Sequence, residues 1–194
     1  MIGEENRWLQ TGAVSGDAYD STYERRAAAG ENVHGEADFV QTFSPASVLD
    51  AGCGTGRVGR ELARRGIDVV GVDIDAEMLE TAKHKAPDVD WRLADLATVD
   101  LGRAFDAIVM AGNVMIFLTP GTERDVVANM ARHLQSGGVL IAGFQLQPGR
   151  LALDEYDACA VAAGLTLAER WSTWDHEAWV GGGDYAVSVH EKTG

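Results

Sequence analysis

From residue 47 onward, hydrophobic residues recur in two patterns that alternate along the chain. Short runs rich in Val, Ile and Leu predict strands, and longer stretches with apolar residues three or four positions apart predict helices. This alternation is typical of βαβ units with parallel strands. Strands are predicted at residues 47–50, 68–73, 91–94, 106–110, 139–144, 166–172 and 185–189, and helices at 57–65, 76–85, 122–133 and 154–163.

The connection between the last two predicted strands differs from the others. It has about a dozen residues with no helical pattern, which is too short for a parallel crossover but sufficient for a hairpin. The final strand is therefore expected to be antiparallel to its neighbours. The predicted fold class is α/β, with one doubly wound, seven-stranded, mostly parallel sheet.

Residues 1–46 precede this pattern and contain no predicted strand. Two short helices are predicted there, at 18–28 and 33–43. They are too short to bury a core of their own, so we expect them to form a helical lid over the sheet. The predicted organisation is a lid over residues 1–46 and one compact domain over residues 47–194.

Composition and charge narrow the classes of function. A chain of 194 residues with 46% hydrophobic residues can form one domain with a sizeable core. Its formal net charge of −14, with no basic segment, would repel the phosphate backbone of DNA or RNA. Two cysteines form neither a disulfide framework nor a metal-ligand set. No basic leader and no eighteen-residue apolar run is present, which predicts a cytoplasmic protein that does not contact the membrane.

A glycine-rich turn, residues 50–56, follows the first predicted strand at the edge where open α/β sheets bind ligands. Gly54, Gly56 and Gly59 also match the dinucleotide fingerprint, so an NAD(P)-dependent oxidoreductase is an alternative. The carboxylate of Asp50 would repel a pyrophosphate at this point, whereas S-adenosylmethionine carries a sulfonium and an ammonium group and no phosphate. The charge pattern therefore favours S-adenosylmethionine.

Several segments resemble the motifs of class I S-adenosylmethionine-dependent methyltransferases, and the resemblance extends over residues 47–144. The similar segments are 48–56 for the first motif, 71–75 for the second, 94–96 for the third, and 105–110 and 134–140 for the later strands. The resemblance implies that Asp73 accepts hydrogen bonds from the ribose hydroxyls and Asp95 from the adenine amino group. The expected Rossmann-like fold agrees with the prediction from hydrophobic patterning.

The resemblance also defines a set of residues that are expected to bind S-adenosylmethionine as the co-substrate. These residues are Asp50, Ala51, Gly52, Cys53, Gly54, Gly56, Asp73, Ile74, Met78, Asp95, Leu96, Ala111 and Asn113. For Asn113 the alternative is a turn residue, because Asn is common in turns.

Methyl transfer from a sulfonium is an in-line displacement, which requires alignment but no metal and no covalent nucleophile. A base is needed only if the acceptor begins protonated. His34 titrates in a suitable range, and Tyr19 and Tyr23 lie four residues apart on one predicted helix face. These three are candidates for a catalytic role, with solvated or packed surface positions as the alternative, and the catalytic residue stays unassigned.

The acceptor is expected to be a small molecule. Residues 111–118 lack the Asn-Pro-Pro signature of nucleobase methylases and the acidic cluster that would bind Mg²⁺. Residues 145–153, between the fifth strand and the next helix, leave no room for an inserted substrate domain. The predicted function is S-adenosylmethionine-dependent methyl transfer to a small molecule, and the alternative is a non-catalytic S-adenosylmethionine-binding module. The pattern leaves the acceptor atom and the oligomeric state open.

Overall fold

The structure is a computed structural model that describes residues 6–11 and 16–193, apart from the side chains of residues 17–19. The strands are β1 (Ser47–Ala51), β2 (Asp68–Asp73), β3 (Asp90–Leu93), β4 (Phe105–Met110), β5 (Leu134–Gln145), β6 (Leu165–Trp171) and β7 (Tyr185–Lys192). The helices are α1 (Arg7–Gln10), α2 (Gly16–Ala28), α3 (Gly35–Gln41), α4 (Arg57–Arg64), α5 (Ala76–Lys85), α6 (Val114–Phe117), α7 (Glu123–Arg132) and α8 (Leu153–Ala162).

The seven strands form one sheet in the order β3-β2-β1-β4-β5-β7-β6. Strands β1 to β5 pair in parallel, and β7 pairs antiparallel with both β5 and β6. Strands β1 and β4 are adjacent and parallel. Successive strands are added outwards from β1 on one side, as β2 and β3, and from β4 on the other, as β5. The predicted α/β fold, including the antiparallel final strand, is confirmed.

Strand β5 begins at Leu134, five residues earlier than the prediction of 139. Phe105 pairs with Leu134 and Ala107 pairs with Val139, so residues 135–138 form a bulge opposite Asp106. A Cβ atom on Gly138 would lie 3.0 Å from the carbonyl oxygen of Asp106. The absence of a side chain at Gly138 therefore allows the bulge to approach the neighbouring strand.

Two hydrophobic layers cover the sheet. On one face, α6, α7 and α8 pack on alternate residues of the strands, with Leu49, Ile108 and Leu140 fully buried. On the other face, α3 and α4 pack on the intervening residues, which include Val48 and Val109. Strand residues point alternately to the two faces, so both sides of a nearly continuous apolar strand are buried.

The N-terminal segment contains three described helices rather than the two predicted. Ala37, Phe39 and Val40 of α3 are almost completely buried against the sheet. Helix α3 thus belongs to the helical layer on that face, while α1 and α2 lie towards the carboxyl edge, where α1 contacts α6 and α2 contacts α5. In the ranges that the structure describes, no helix is long and apolar enough to cross a bilayer.

Candidate functional site

A crevice of about 890 Å³ opens at the carboxyl edge of the sheet, beyond the ends of the adjacent strands β1 and β4. This is the position at which open α/β sheets bind their ligands, because the loops after adjacent strands turn to opposite faces. Its walls are formed by the glycine-rich turn after β1, the ends of β2 and β4, the loop after β3 and helix α6. Asn6 and Trp8 of the N-terminal segment complete them.

The glycine-rich turn forms the floor of this crevice. Gly52 has φ +78°, and a Cβ atom there would lie 2.5 Å from the Val114 side chain. Gly54 has φ +53°, and the space where its Cβ would point is open. A side chain at either position would be strained, and at Gly54 it would also project into the crevice. The glycines therefore let a ligand approach the backbone closely.

The backbone N–H groups of this turn are largely used within the protein. The N–H groups of Gly52 and Cys53 donate to the carbonyl oxygen of Val72, at 2.8 and 3.1 Å. The N–H of Gly54 donates to Oδ2 of Asp73 at 2.7 Å. A pyrophosphate site needs such N–H groups pointing at the ligand. Their engagement makes this turn a poor cradle for a dinucleotide, independently of charge.

Two buried carboxyl groups lie beneath the turn. Asp50 accepts a hydrogen bond from the N–H of Gly59 at 2.8 Å, and burial raises its pKa to about 7, although this hydrogen bond and the charge of Arg57 oppose the shift. Burial also raises the pKa of Asp73, which accepts from the N–H of Asp75 at 2.9 Å. Both groups would therefore be stabilised as anions by a cation bound in the crevice.

Comparison with known proteins agrees with this geometry. A family described as "Methyltransferase domain" matches residues 48–138. The crystal structure of a TehB-like S-adenosylmethionine-dependent methyltransferase from Corynebacterium glutamicum is 34% identical, covers 92% of this chain and 98% of its own, and superimposes with a TM-score of 0.84. This chain belongs to the class I S-adenosylmethionine-dependent methyltransferases.

Two further relatives show the breadth of the family. An uncharacterized methyltransferase of Mycobacterium tuberculosis is 32% identical over 76% of this methyltransferase and 75% of its own length. A dTDP-3-amino-3,4,6-trideoxy-alpha-D-glucopyranose N,N-dimethyltransferase of Streptomyces venezuelae is 33% identical over 64% of this chain and 54% of its own length. The chain thus spans about half the length of several curated relatives that it matches.

The structure brings most of the predicted donor-binding residues of this methyltransferase together. Ten of the thirteen line the crevice, namely Asp50, Gly52, Cys53, Gly54, Asp73, Ile74, Met78, Asp95, Leu96 and Ala111. Ala51 and Gly56 lie outside its lining, where Ala51 is fully buried in the core and Gly56 packs beneath Trp91. Burial raises the pKa of the Cys53 thiol, which favours its protonated form.

Asn113 also lies outside the lining of the crevice. It has φ +69°, and its Oδ1 accepts a hydrogen bond from the backbone N–H of Gln145 at 2.8 Å. The side chain thereby joins the ends of β4 and β5, as expected for a turn residue. This geometry corresponds to the turn alternative that the sequence left open.

Several residues in the lining were not predicted. Thr55, Arg57 and Val58 adjoin the first motif and could have been included by proximity. Gly112, Val114, Phe117 and Leu118 belong to the segment after β4, which the sequence indicated only as the acceptor side. Asn6 and Trp8 had no signal, because their contact with the crevice depends on how the N-terminal segment packs.

The catalytic candidates lie in different places. His34 lines a separate surface depression with Arg60 and Glu61, outside the crevice at the carboxyl edge. The Tyr23 ring stacks beneath the Arg57 guanidinium, with 4.2 Å between the guanidinium carbon and the ring centroid. The Tyr19 side chain is outside the described residues. Neither His34 nor Tyr23 lines the crevice, and Tyr23 adjoins it through its contact with Arg57.

A buried acid that the sequence did not indicate connects α2 to the glycine-rich turn. Asp20 is 3% exposed and accepts a hydrogen bond from the Thr55 hydroxyl. It also accepts from Nη2 of Arg60 at 3.1 Å and from Nζ of Lys85 at 2.6 Å. These contacts of Asp20 with Thr55, Arg60 and Lys85, called the Asp20 network below, fix α2 against the glycine-rich turn, α4 and α5.

The aromatic residues near the C-terminal hairpin pack on α3. The His176 ring stacks on Phe39 at 4.4 Å, and Nε1 of Trp174 donates to the Tyr185 hydroxyl at 3.0 Å. Trp171, Trp174 and Tyr185 border the core on this face, and none of them lines the crevice. Their arrangement is that of a hairpin packed on the sheet and on α3.

Proposed function

We propose that this methyltransferase transfers the methyl group of S-adenosylmethionine to a small-molecule acceptor by in-line displacement. The observation that carries the proposal is the crevice beyond the ends of β1 and β4. It combines glycines that let a ligand approach the backbone with N–H groups that already donate hydrogen bonds within the protein. Two buried carboxyl groups, Asp50 and Asp73, lie beneath the turn. This combination fits a cationic ligand without phosphate.

The nucleoside half of the donor is assigned to the side of the crevice formed by β2 and the loop after β3. Asp73 would accept from the ribose hydroxyls while retaining its bonds to the backbone, because each carboxylate oxygen has two lone pairs. Ile74, Met78 and Leu96 provide apolar contacts for the adenine, and Asp95 lies beside them. The methionine half would then lie along the glycine-rich turn, next to Asp50 and Arg57.

The acceptor is assigned to the opposite side, beyond Ala111 and Gly112. Val114, Phe117 and Leu118 make this part of the lining mainly apolar. Some relatives are named as methyltransferases of amino sugars, and another as a trans-aconitate 2-methyltransferase. A net charge of −14 opposes binding of a nucleic acid. These observations support a small acceptor whose apolar part contacts α6.

Helices α1 and α2 are assigned the role of a cover over the crevice, while α3 packs on the face of the sheet. Asn6 and Trp8 line the crevice, and the Asp20 network fixes α2 beside the glycine-rich turn. A cover of this kind excludes water and holds the donor and acceptor in an aligned geometry, which supplies much of the acceleration of a displacement. None of the described crevice-lining residues is a histidine. We therefore attribute the acceleration of methyl transfer mainly to the alignment of donor and acceptor.

Calorimetry with S-adenosylmethionine, S-adenosylhomocysteine and NAD tests the donor assignment. We expect the first two ligands to bind and NAD not to bind. Asp73→Asn should weaken both by at least about tenfold, because two charge-assisted hydrogen bonds are lost. Asp106→Asn is the matched control, because Asp106 accepts from the backbone N–H of Ser47 at the opposite edge of the sheet.

An assay of methyl transfer to a panel of small amines, hydroxyl compounds and carboxylates tests whether the protein catalyses transfer to a small molecule. Transfer that is lost in Asp73→Asn and retained in Asp106→Asn would support the proposal. Binding of NAD without binding of either methionine derivative would refute the donor assignment. Tight donor binding with no transfer to any acceptor class would favour the non-catalytic binding module instead.

A further inference from the structure

Trp8 spans the donor crevice from one wall to the other. Its Nε1 donates a hydrogen bond to Oδ2 of Asp75 at 2.8 Å, just beyond the end of β2. On the other side its ring packs edge-on against Phe117 of α6, with centroids 5.4 Å apart and an interplanar angle of 80°. Since Trp8 and Phe117 both line the crevice, the indole forms a part of its wall that joins the β2 side to α6.

Helix α1, which carries Trp8, depends on contacts with the rest of the protein. A four-residue helix is not stable alone, because the cost of nucleation exceeds the few hydrogen bonds gained. Oδ1 of Asn6 caps it by accepting from the N–H groups of Trp8 and Leu9, at 3.0 and 3.4 Å. Arg7 pairs with Glu123 at 3.7 Å. The position of Trp8 is thus determined by the surfaces on which α1 rests.

The bond between Trp8 and Asp75 places the indole over a particular part of the site. Asp75 caps α5 through Oδ1, which accepts from the N–H groups of Glu77 and Met78, and it offers Oδ2 to Trp8. It follows Asp73, the assigned ribose acceptor, by two residues. The adjoining Ile74 and Met78 belong to the assigned adenine wall. Trp8 therefore lies closer to the nucleoside half than to the glycine-rich turn.

We propose that Trp8 is a positioning residue that closes over the nucleoside half of the donor and retains it. The inference rests on the proposed function, because it requires S-adenosylmethionine in this crevice. The indole adds an apolar face above the ribose and adenine, and its bond to Asp75 fixes the orientation of that face. Through Phe117, the same side chain joins the donor to α6, which borders the assigned acceptor side.

The test compares ligand binding by Trp8→Ala and Trp8→Phe with the wild type, using S-adenosylhomocysteine and 5′-methylthioadenosine, which lacks the amino-acid part. We expect Trp8→Ala to weaken both ligands by the same factor, about tenfold or more, as for an aromatic contact with a base. Trp8→Phe should have a smaller effect, because it keeps a ring beside Phe117. The control is Leu9→Ala, since Leu9 is a partly exposed neighbour on α1.

Asp75→Ser isolates the hydrogen bond. Serine keeps the N-cap of α5 but is too short to reach the indole. We expect it to weaken binding as much as Trp8→Phe, and the double variant to show no further loss. In steady-state kinetics the KM for S-adenosylmethionine should rise while kcat is retained. Because a folding defect would lower the amount of active enzyme instead, this separation distinguishes positioning from a purely structural role.

Three results would overturn the inference. Binding of both ligands within twofold of wild type in Trp8→Ala would show that Trp8 does not retain the donor. Weaker binding of S-adenosylhomocysteine alone would place Trp8 on the amino-acid half. A fall in kcat without a change in KM would contradict positioning. If wild-type protein bound neither ligand, the proposed function itself would fail, which the Trp8 variants cannot mimic.

Discussion

Two regions of this protein differ in whether their buried polar groups have hydrogen-bond partners. At the donor edge, Asp20, Asp50 and Asp73 are almost fully buried, and each accepts hydrogen bonds from nearby groups. On the opposite part of the sheet, His190 of β7 and Tyr156 of α8 are completely buried. Among the described residues, neither the Tyr156 hydroxyl nor either ring nitrogen of His190 has a hydrogen-bond partner.

The difference reflects how the polar groups are supplied with partners. At the carboxyl edge, Asp50 and Asp73 accept from backbone N–H groups of the turn and of helix starts, which are free to donate to side chains. Asp20 accepts from the side chains of Thr55, Arg60 and Lys85. Between α8 and β7, regular secondary structure uses its own backbone groups, so a side chain there depends on other side chains. The nearest acid is Asp157, whose Oδ1 lies 3.4 Å from Nε2 of His190 without hydrogen-bond geometry and also pairs with Arg170. We therefore expect removal of polar groups to have opposite effects in the two regions.

The largest effect is expected at the Asp20 network. Asp20→Ala removes the carboxylate that Arg60 and Lys85 share, so Arg60 loses this ion pair and Lys85 keeps its ion pair with the exposed Glu24. We expect the free energy of unfolding to fall by about 2–4 kcal/mol, near the low end for buried pairs because both cations are partly exposed. Urea unfolding measures it. Asp90→Ala, which removes an exposed ion pair with Arg92, is the control and should cost less than about 1 kcal/mol.

The second effect concerns the charge of Asp50. Its pKa of about 7 means that it gains a negative charge as the pH rises from 6 to 8. We expect S-adenosylmethionine to bind up to about tenfold more tightly across this range, because the ionised carboxyl attracts the cation. S-adenosylhomocysteine, which lacks the sulfonium, should respond less. Calorimetry at several pH values checks this, and the same slope in Asp50→Asn would contradict it.

Stability should depend on Asp50 in the opposite direction. Its pKa is higher in the folded protein than in the unfolded chain, so the folded state binds the proton more tightly. The stabilisation from this proton is complete below the unfolded pKa and is lost as the pH rises through 7. Comparison of wild type and Asp50→Asn in urea at pH 5 and 8 measures it, and bound donor should reduce the difference.

A smaller effect with opposite signs is expected for two tyrosines, the buried Tyr156 and the partly buried Tyr185. Tyr156→Phe removes a hydroxyl without a partner and should raise the free energy of unfolding by about 1 kcal/mol. Tyr185→Phe removes the acceptor of the Trp174 indole N–H and should lower it by about 1 kcal/mol. Thermal and urea unfolding of both variants measure the contrast. Destabilisation of the same size in both would remove the proposed distinction between partnered and unpartnered groups.

The smallest effect is expected for His190. Burial lowers its pKa, although the charge of Asp157 opposes the shift, so the folded protein resists its protonation. As the pH falls below about 6.5, protons bind the unfolded chain more readily, and stability should decrease by up to about 1 kcal/mol between pH 7 and 5.5. His190→Gln should remove this part of the pH dependence. His84→Gln, at an exposed position, should leave the profile unchanged.

Much of the fold could be predicted from the sequence, because its signals are local. Asp75 begins α5 through its own side chain, and Gly66, with φ +87°, follows the end of α4. The glycines of the first motif and the acid at 73 also lie together through the register of β1 and β2. Ten predicted residues line the crevice for this reason, because neighbouring strands bring their ends to one edge.

The remaining features depend on contacts between distant segments. Trp8 reaches Asp75 and Asp20 reaches Thr55 only because the N-terminal helices pack across the carboxyl edge. The sequence placed Asp50 beside the glycine-rich turn, but its raised pKa follows from burial by the surrounding layers. The sequence by itself thus determined the α/β class and the donor turn, whose causes lie within a few residues. Only the tertiary structure decided what covers the crevice and how its carboxyl groups are charged, because burial and partners are properties of the packed chain.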